Sequence, residues 1–212
     1  MFTTGARKIS QEEIVKDEIV ETEEAPDPGR RKAIGSLVFV ALFAAIIGAS
    51  AFLVIPIGPV PIALRNMFTL LSGLVLGPFL GAGAVALFIA AGAVGAPVFA
   101  GGGAGLAVIL GPTGGYIFGY LLSAFVAGLL AGSPKPGVKT PAWRIVLAVV
   151  VGLLVVYVPG LVWLNLYLSL DGIWRTLAAG FFPFLAGDAV KGVVAGLVAP
   201  RLRRTAARLL SR

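Results

Sequence analysis

Between Arg65 and Lys135 not one residue carries a formal charge. An apolar, uncharged run of about eighteen residues already suggests a helix that crosses a bilayer, and this run is several times longer, so it must fold back within the membrane. The stretch from Ala33 to Leu64 is equally free of charge, and 58% of the whole chain is hydrophobic. The sequence therefore reads as an integral, all-α membrane protein, with a 33–200 membrane domain between a polar arm, 1–32, and a short basic tail, 201–212. Eight of the ten acidic residues precede Ala33, leaving only Asp171 and Asp188 beyond it. The arm is too charged and too poor in apolar residues for a signal peptide; a helix is possible over 11–23 before Pro26, Pro28 and Gly29 end it. With no His and no Cys, the commonest metal ligand, the commonest general base and thiolate chemistry are all missing. No metal, cofactor or nucleic-acid partner is expected.

Spans are expected over about 33–55, 114–132, 144–168 and 177–198. The stretch 67–100 is too long for one more. As a single helix its 34 residues would extend about 51 Å against a hydrocarbon core of ~30 Å. GPFLG at 77–81 supplies a break, because Pro78 has no amide hydrogen and its glycine neighbours relax the backbone. Two short spans make six in all. Charge parity agrees: six spans put Arg30, Arg31 and Lys32, then Lys135, Lys139 and Arg144, then the C-terminal arginines on one side, which should be the cytoplasm. Both termini are then inside, and the connection between spans three and four is external.

That connection is GAPVFAGGGAGLAVILGPTGGY, 95–116, in a region with ten glycines from Gly92 to Gly119. Irregular backbone at membrane depth is tolerated where it is buried in protein or lines a cavity. A merely flexible surface loop would be polar, whereas this one carries Val98, Phe99, Leu106, Val108, Ile109 and Leu110, so a loop folded over a ligand is the reading preferred. In the sixth span Asp188 and Lys191 stand three residues apart and share a helix face. Ionisable groups at such depth face a cavity or each other; a purely structural ion pair is the alternative. In the first span Ala41, Ala45 and Ala49 recur every fourth residue and present a face on which another helix can approach closely, either a partner protein's or one within the same unit. GSPKPGVKT at 132–140 places Val138 where a phosphate-binding loop needs its lysine to follow, so the chain has no recognisable ATPase motif.

PVPIAL at 59–64, LLSGLVLGPFLG at 70–81, PVFAGGG and GPTGGY in the glycine-rich segment, and PFLAGDAVKG at 183–192, in that order, resemble the BioY family, the biotin-specific substrate-capture (S) components of energy-coupling factor transporters. The resemblance covers about 59–198. It implies a six-helix protein of the cell membrane that binds biotin near the extracellular face and works with a transmembrane coupling protein and two cytoplasmic ATPases. It also implies ligand contacts from Phe99, Gly101, Gly102, Gly103, Pro112, Thr113, Gly114, Gly115 and Tyr116, together with Asp188 and Lys191, and a docking role for the Ala41, Ala45 and Ala49 face. Biotin has a ureido group with two N–H donors and a carbonyl, an apolar thioether ring and a carboxylate tail. A buried carboxylate with a fixed cation beside it complements the ureido end.

The chain departs from the family at Arg65 and Asn66, where a Gln and a small polar residue are common, and at Phe88, where a Tyr is often found. Arg65 either snorkels to the interface or pairs with the ligand's carboxylate. These changes keep a biotin relative or another small carboxylate vitamin open as the ligand. Proton-coupled uptake by this chain alone, with Asp188 as the proton site, is the rival mechanism. An intramembrane aspartyl hydrolase is disfavoured, because Leu185 stands where its GxGD motif needs the first glycine.

Overall fold

The computed structural model describes residues 28–55 and 62–210. Most of the polar arm, with the helix expected over 11–23, and the stretch 56–61 lie outside the described residues. Eight helices account for nearly all the regular structure: α1 Pro28–Ala49, α2 Arg65–Leu76, α3 Pro78–Ala93, the single turn α4 Leu106–Ile109, α5 Gly114–Ala131, α6 Ala142–Leu168, α7 Ile173–Gly180 and α8 Phe182–Leu210. A two-residue antiparallel pairing, β1 Val54–Ile55 with β2 Ile62–Ala63, joins α1 to α2.

Four helical stretches are long and apolar enough to cross a membrane: Gly29–Phe52, Gly114–Ala131, Ala142–Leu168 and Phe182–Leu210. The break expected near Pro78 is present. Gly77 takes φ 86°, a left-handed conformation that L side chains rarely adopt, and Pro78 opens α3, where a missing N–H is harmless. The two pieces then pack on each other. The Ser72 hydroxyl donates to the carbonyls of Thr69 (2.7 Å) and Gly81 (3.1 Å), and a Cβ on Gly81 would run into the Gly73 backbone.

The last expected span, 177–198, is divided differently. Helix α7 stops at Gly180, Phe181 leaves helical geometry (φ −125°, ψ −63°), and α8 restarts at Phe182 with Pro183 in its first turn. From there α8 runs unbroken through Leu210, so the basic residues 201–210 are helical. Asn165 holds the turn before α7, donating to the Leu170 carbonyl (3.1 Å) and the Thr176 hydroxyl (2.7 Å).

Small residues set the helix spacing. Helices α5 and α6 form the most extensive pair. Gly119 lies against the Val156 backbone, Gly115 against Pro159 and Trp163, and Gly160 under the Tyr116 ring. Helix α6 buries Val149, Gly152, Val156 and Gly160 and leaves Val146, Val150, Leu154, Val158 and Val162 exposed. An aliphatic stripe of that length is the face a helix turns to lipid.

Candidate ligand-binding site

A cavity of about 220 Å³ lies within the bundle, where α2, α5, α6 and α8 meet the glycine-rich segment. Its polar wall comes from Arg65 and Asn66 at the start of α2, Tyr116 and Tyr120 on α5, Tyr157 on α6, and Asp188 and Lys191 on α8. Phe99, Ala100, Val108, Ile117, Val156 and Phe184 supply its apolar surface, with Thr113 at its edge.

Asp188 is the hub. Its Oδ1 accepts from Asn66 Nδ2 at 2.7 Å and from Lys191 Nζ at 2.8 Å, while its Oδ2 accepts from the Tyr157 hydroxyl at 2.6 Å. The i,i+3 spacing on α8 brings Asp188 and Lys191 together, both 6% exposed. A carboxylate has roughly four lone-pair sites, so Oδ2 retains acceptor capacity, and the ammonium, with three donors, retains two. The same geometry serves an ion pair and a ligand site, so the pairing itself does not separate the two readings.

Two other atoms do point to a ligand. The Asn66 side chain is oriented by its donation to Asp188, which leaves its Oδ1 buried with no partner among the described residues. Arg65 is 5% exposed, its Nε is likewise unpartnered, and its guanidinium lies 5.6 Å from the Phe88 ring centre. A buried polar atom without a hydrogen bond is expensive, and such groups concentrate where a ligand or water completes them. Arg65 is therefore not an interfacial snorkel. It is held inside, beside Phe88.

The glycine-rich segment divides into two roles. Phe99 is completely buried: its ring packs edge-on against Phe88 with centres 5.6 Å apart and fills the space beside Gly92. Around it the backbone closes on itself, with Phe99 N–H donating to Gly103 O (2.9 Å) and Gly105 N–H to Gly92 O (2.7 Å). Gly101 (φ 64°) and Gly102 (φ 80°) make this tight turn possible. The structure brings Phe99, Thr113 and Tyr116 to the cavity. It does not bring Gly101, Gly102 and Gly103, which shape the turn, nor Pro112, which is exposed.

Gly114 and Gly115, expected as ligand contacts, also lie off the cavity wall, and neither has a positive φ. They begin α5, where a Cβ on Gly114 would strike the Ile109 carbonyl and one on Gly115 would strike Pro159 and Trp163. Gly115→Val is accordingly expected to lower the thermal midpoint and weaken ligand binding together, by about 1–3 kcal/mol or more of overpacking. Lost binding with an unchanged midpoint would place Gly115 on the ligand instead.

Ile117, Tyr120, Val156 and Tyr157 lie outside the quoted motifs, and Ala100, Val108 and Phe184 lie inside them without having been singled out as ligand contacts. The signals available were weak: Tyr120 lies one helical turn after Tyr116, and Tyr157 interrupts an aliphatic run. The Tyr116 hydroxyl donates to Gly180 O at 2.8 Å, and the Tyr157 ring packs on Phe181 with centres 4.7 Å apart. The α7–α8 break is thereby tied to the cavity. On α1, Ala41, Ala45 and Ala49 are all exposed, while Phe43, Ile47 and Gly48, and Ser50 just beyond its end, face inward. That placement removes internal packing as the reason for the alanine spacing.

Helices with lipid-facing rinds around a buried, partly unsatisfied polar cavity define an integral membrane protein built to hold a small molecule. Residues 22–208 match the BioY family. The "Biotin transporter BioY" of Thermotoga maritima is 42% identical over 168 residues, spanning 79% of this chain and 95% of that protein. The "Probable biotin transporter BioY" of Pyrococcus horikoshii is 40% identical, spanning 77% and 93% respectively. The crystal structure of the S component for biotin from an ECF-type ABC transporter superposes with a TM-score of 0.69 at 30% identity, covering 81% of this chain and 92% of that one. This chain belongs to the BioY family.

Proposed function

We propose that this protein captures biotin as the S component of an ECF-type, ATP-driven uptake system in the cytoplasmic membrane. The observation that carries the reading is the cavity's pattern of unfinished hydrogen bonds. The ureido N–H groups of biotin match the free lone pair on Asp188 Oδ2 and the unpartnered Asn66 Oδ1, and its carbonyl matches the spare donors of Lys191. The thioether ring packs among Phe99, Val108, Ile117 and Val156. The carboxylate completes Arg65, a charge buried without a counter-ion among the hydrogen bonds and ion pairs of the described residues. At about 220 Å³ the cavity is below the ~300–1,000 Å³ usual for small-molecule sites, which suits one compact ligand.

In this reading the α2–α3 pair supplies two short spans to a six-span arrangement with both termini in the cytoplasm and the glycine-rich segment outside. Energy comes from a coupling protein and two ATPases. The exposed Ala41, Ala45 and Ala49 face of α1 is where the coupling protein docks, since small residues allow close helix approach. Ala45→Trp should leave biotin binding intact and abolish ATP-dependent uptake in proteoliposomes that contain all the subunits. Uptake by this chain alone, driven by a pH gradient, would replace ATP coupling with proton coupling.

A further inference from the structure

At the end of α5 opposite the glycine-rich segment lies a second cavity, of about 230 Å³, lined by Lys135, Lys139, Arg203 and Arg204 together with Pro134, Val138, Thr140 and Pro200. No acidic residue lines it. The described residues contain only two acids: Asp171, at the far end of α6 beside Arg175, and Asp188, bonded within the first cavity.

Arg203 is the fixed element of this cluster. It is buried, and its guanidinium donates to Leu74 O at the end of α2, to Ala131 O (3.1 Å) and Gly132 O (2.8 Å) at the end of α5, and to Thr140 Oγ1 (3.2 Å). Tying helix C-termini with a cation suits their partial negative charge. The other three charges are not used in that way. Arg204 makes one bond to its own helix, Nε to Pro200 O at 3.2 Å, and the ammonium groups of Lys135 and Lys139 have no partner among the described residues.

The flanks are apolar. Val138, which lines the cavity, is 62% exposed, and Leu197, which shares a face of α8 with Pro200 and Arg204, is 72% exposed. Two lysines without partners and an arginine bonded only to its own helix, beside exposed apolar side chains, form an amphipathic recess at the end of the apolar helices. We propose that this recess is a phosphodiester site filled from the bilayer by the headgroup of an anionic phospholipid, whose acyl chains lie along the exposed face of α8 at Leu197.

The test uses the full chain in a neutral detergent, with thermal unfolding followed as dioctanoylphosphatidylglycerol, dioctanoylphosphatidylcholine or inorganic phosphate is added. Phosphatidylglycerol should raise the midpoint saturably, the other two should not, and added salt should weaken the effect. A triple variant, Lys135→Gln, Lys139→Gln and Arg204→Gln, keeps Arg203 and its helix ties, and should need roughly tenfold more phosphatidylglycerol or beyond for the same shift. Equal responses to the two lipids by the unaltered protein would overturn the site. So would a triple variant that responds like the parent. A full response to inorganic phosphate at the same concentrations would overturn the lipid as its occupant.

Discussion

Asp188→Asn should abolish most biotin binding, weakening it by on the order of 3 kcal/mol, roughly a hundredfold. The substitution keeps the shape, but it removes the charge that accepts from Asn66, Lys191 and Tyr157 within 2.6–2.8 Å and leaves the Lys191 ammonium buried without its counter-ion. Breaking a buried pair from one side costs about 3–5 kcal/mol of stability, so the thermal midpoint should fall as well. Adding Lys191→Met restores electrical neutrality. Midpoint and affinity should then part company, because a neutral, packed pair replaces a buried ionic one at little cost while the ureido group still lacks its charged acceptor. Recovery of both in the double variant would reduce Asp188 and Lys191 to a structural ion pair.

Arg65→Gln is the second large effect. With the guanidinium gone, the one cation left in the cavity wall is Lys191, already paired with Asp188, so a biotin carboxylate has no unpaired cation to meet, and biotin affinity should fall by about 2–5 kcal/mol, the range for truncating one member of a buried charged pair. Biotin amide, which has no carboxylate, should bind the unaltered protein poorly and should lose little further in the variant. The discrimination between acid and amide therefore collapses. Calorimetric titration of both ligands against both proteins reads this directly, and an unchanged acid-to-amide ratio in the variant would remove Arg65 from the carboxylate.

Much of this architecture is legible in the sequence because the bilayer imposes simple requirements. Long uncharged runs must be helices, and a Gly-Pro pair in the middle of one must break it; α5 and α6 accordingly fall within two residues of the expected limits. The boundary at Gly180–Phe181 is marked in the sequence only by Gly180 and Pro183 inside an otherwise continuous apolar run, and the sequence reading passed over them; the break is stabilised by distant contacts from Tyr116 and Tyr157. The same distinction holds in the cavity. Asp188, Lys191 and Arg65 stand out because charge is rare at membrane depth, and Phe99 stands out among glycines. Tyr120 and Tyr157 look like ordinary helix residues until three-dimensional packing turns them inward. Glycine is the most misleading signal: one residue type serves the positive-φ turn at Gly101 and Gly102 and the close helix contact at Gly115, and only the three-dimensional packing separates these uses.

Whether the cavity around Asp188, Asn66 and Arg65 holds biotin is tested, without any partner protein, by isothermal titration of the purified, detergent-solubilised chain with biotin. One saturable site per chain is predicted, with desthiobiotin, which keeps the ureido group and the carboxylate, occupying the same site. No saturable binding of biotin up to about 1 mM, weaker than about 4.1 kcal/mol of binding free energy, would contradict it.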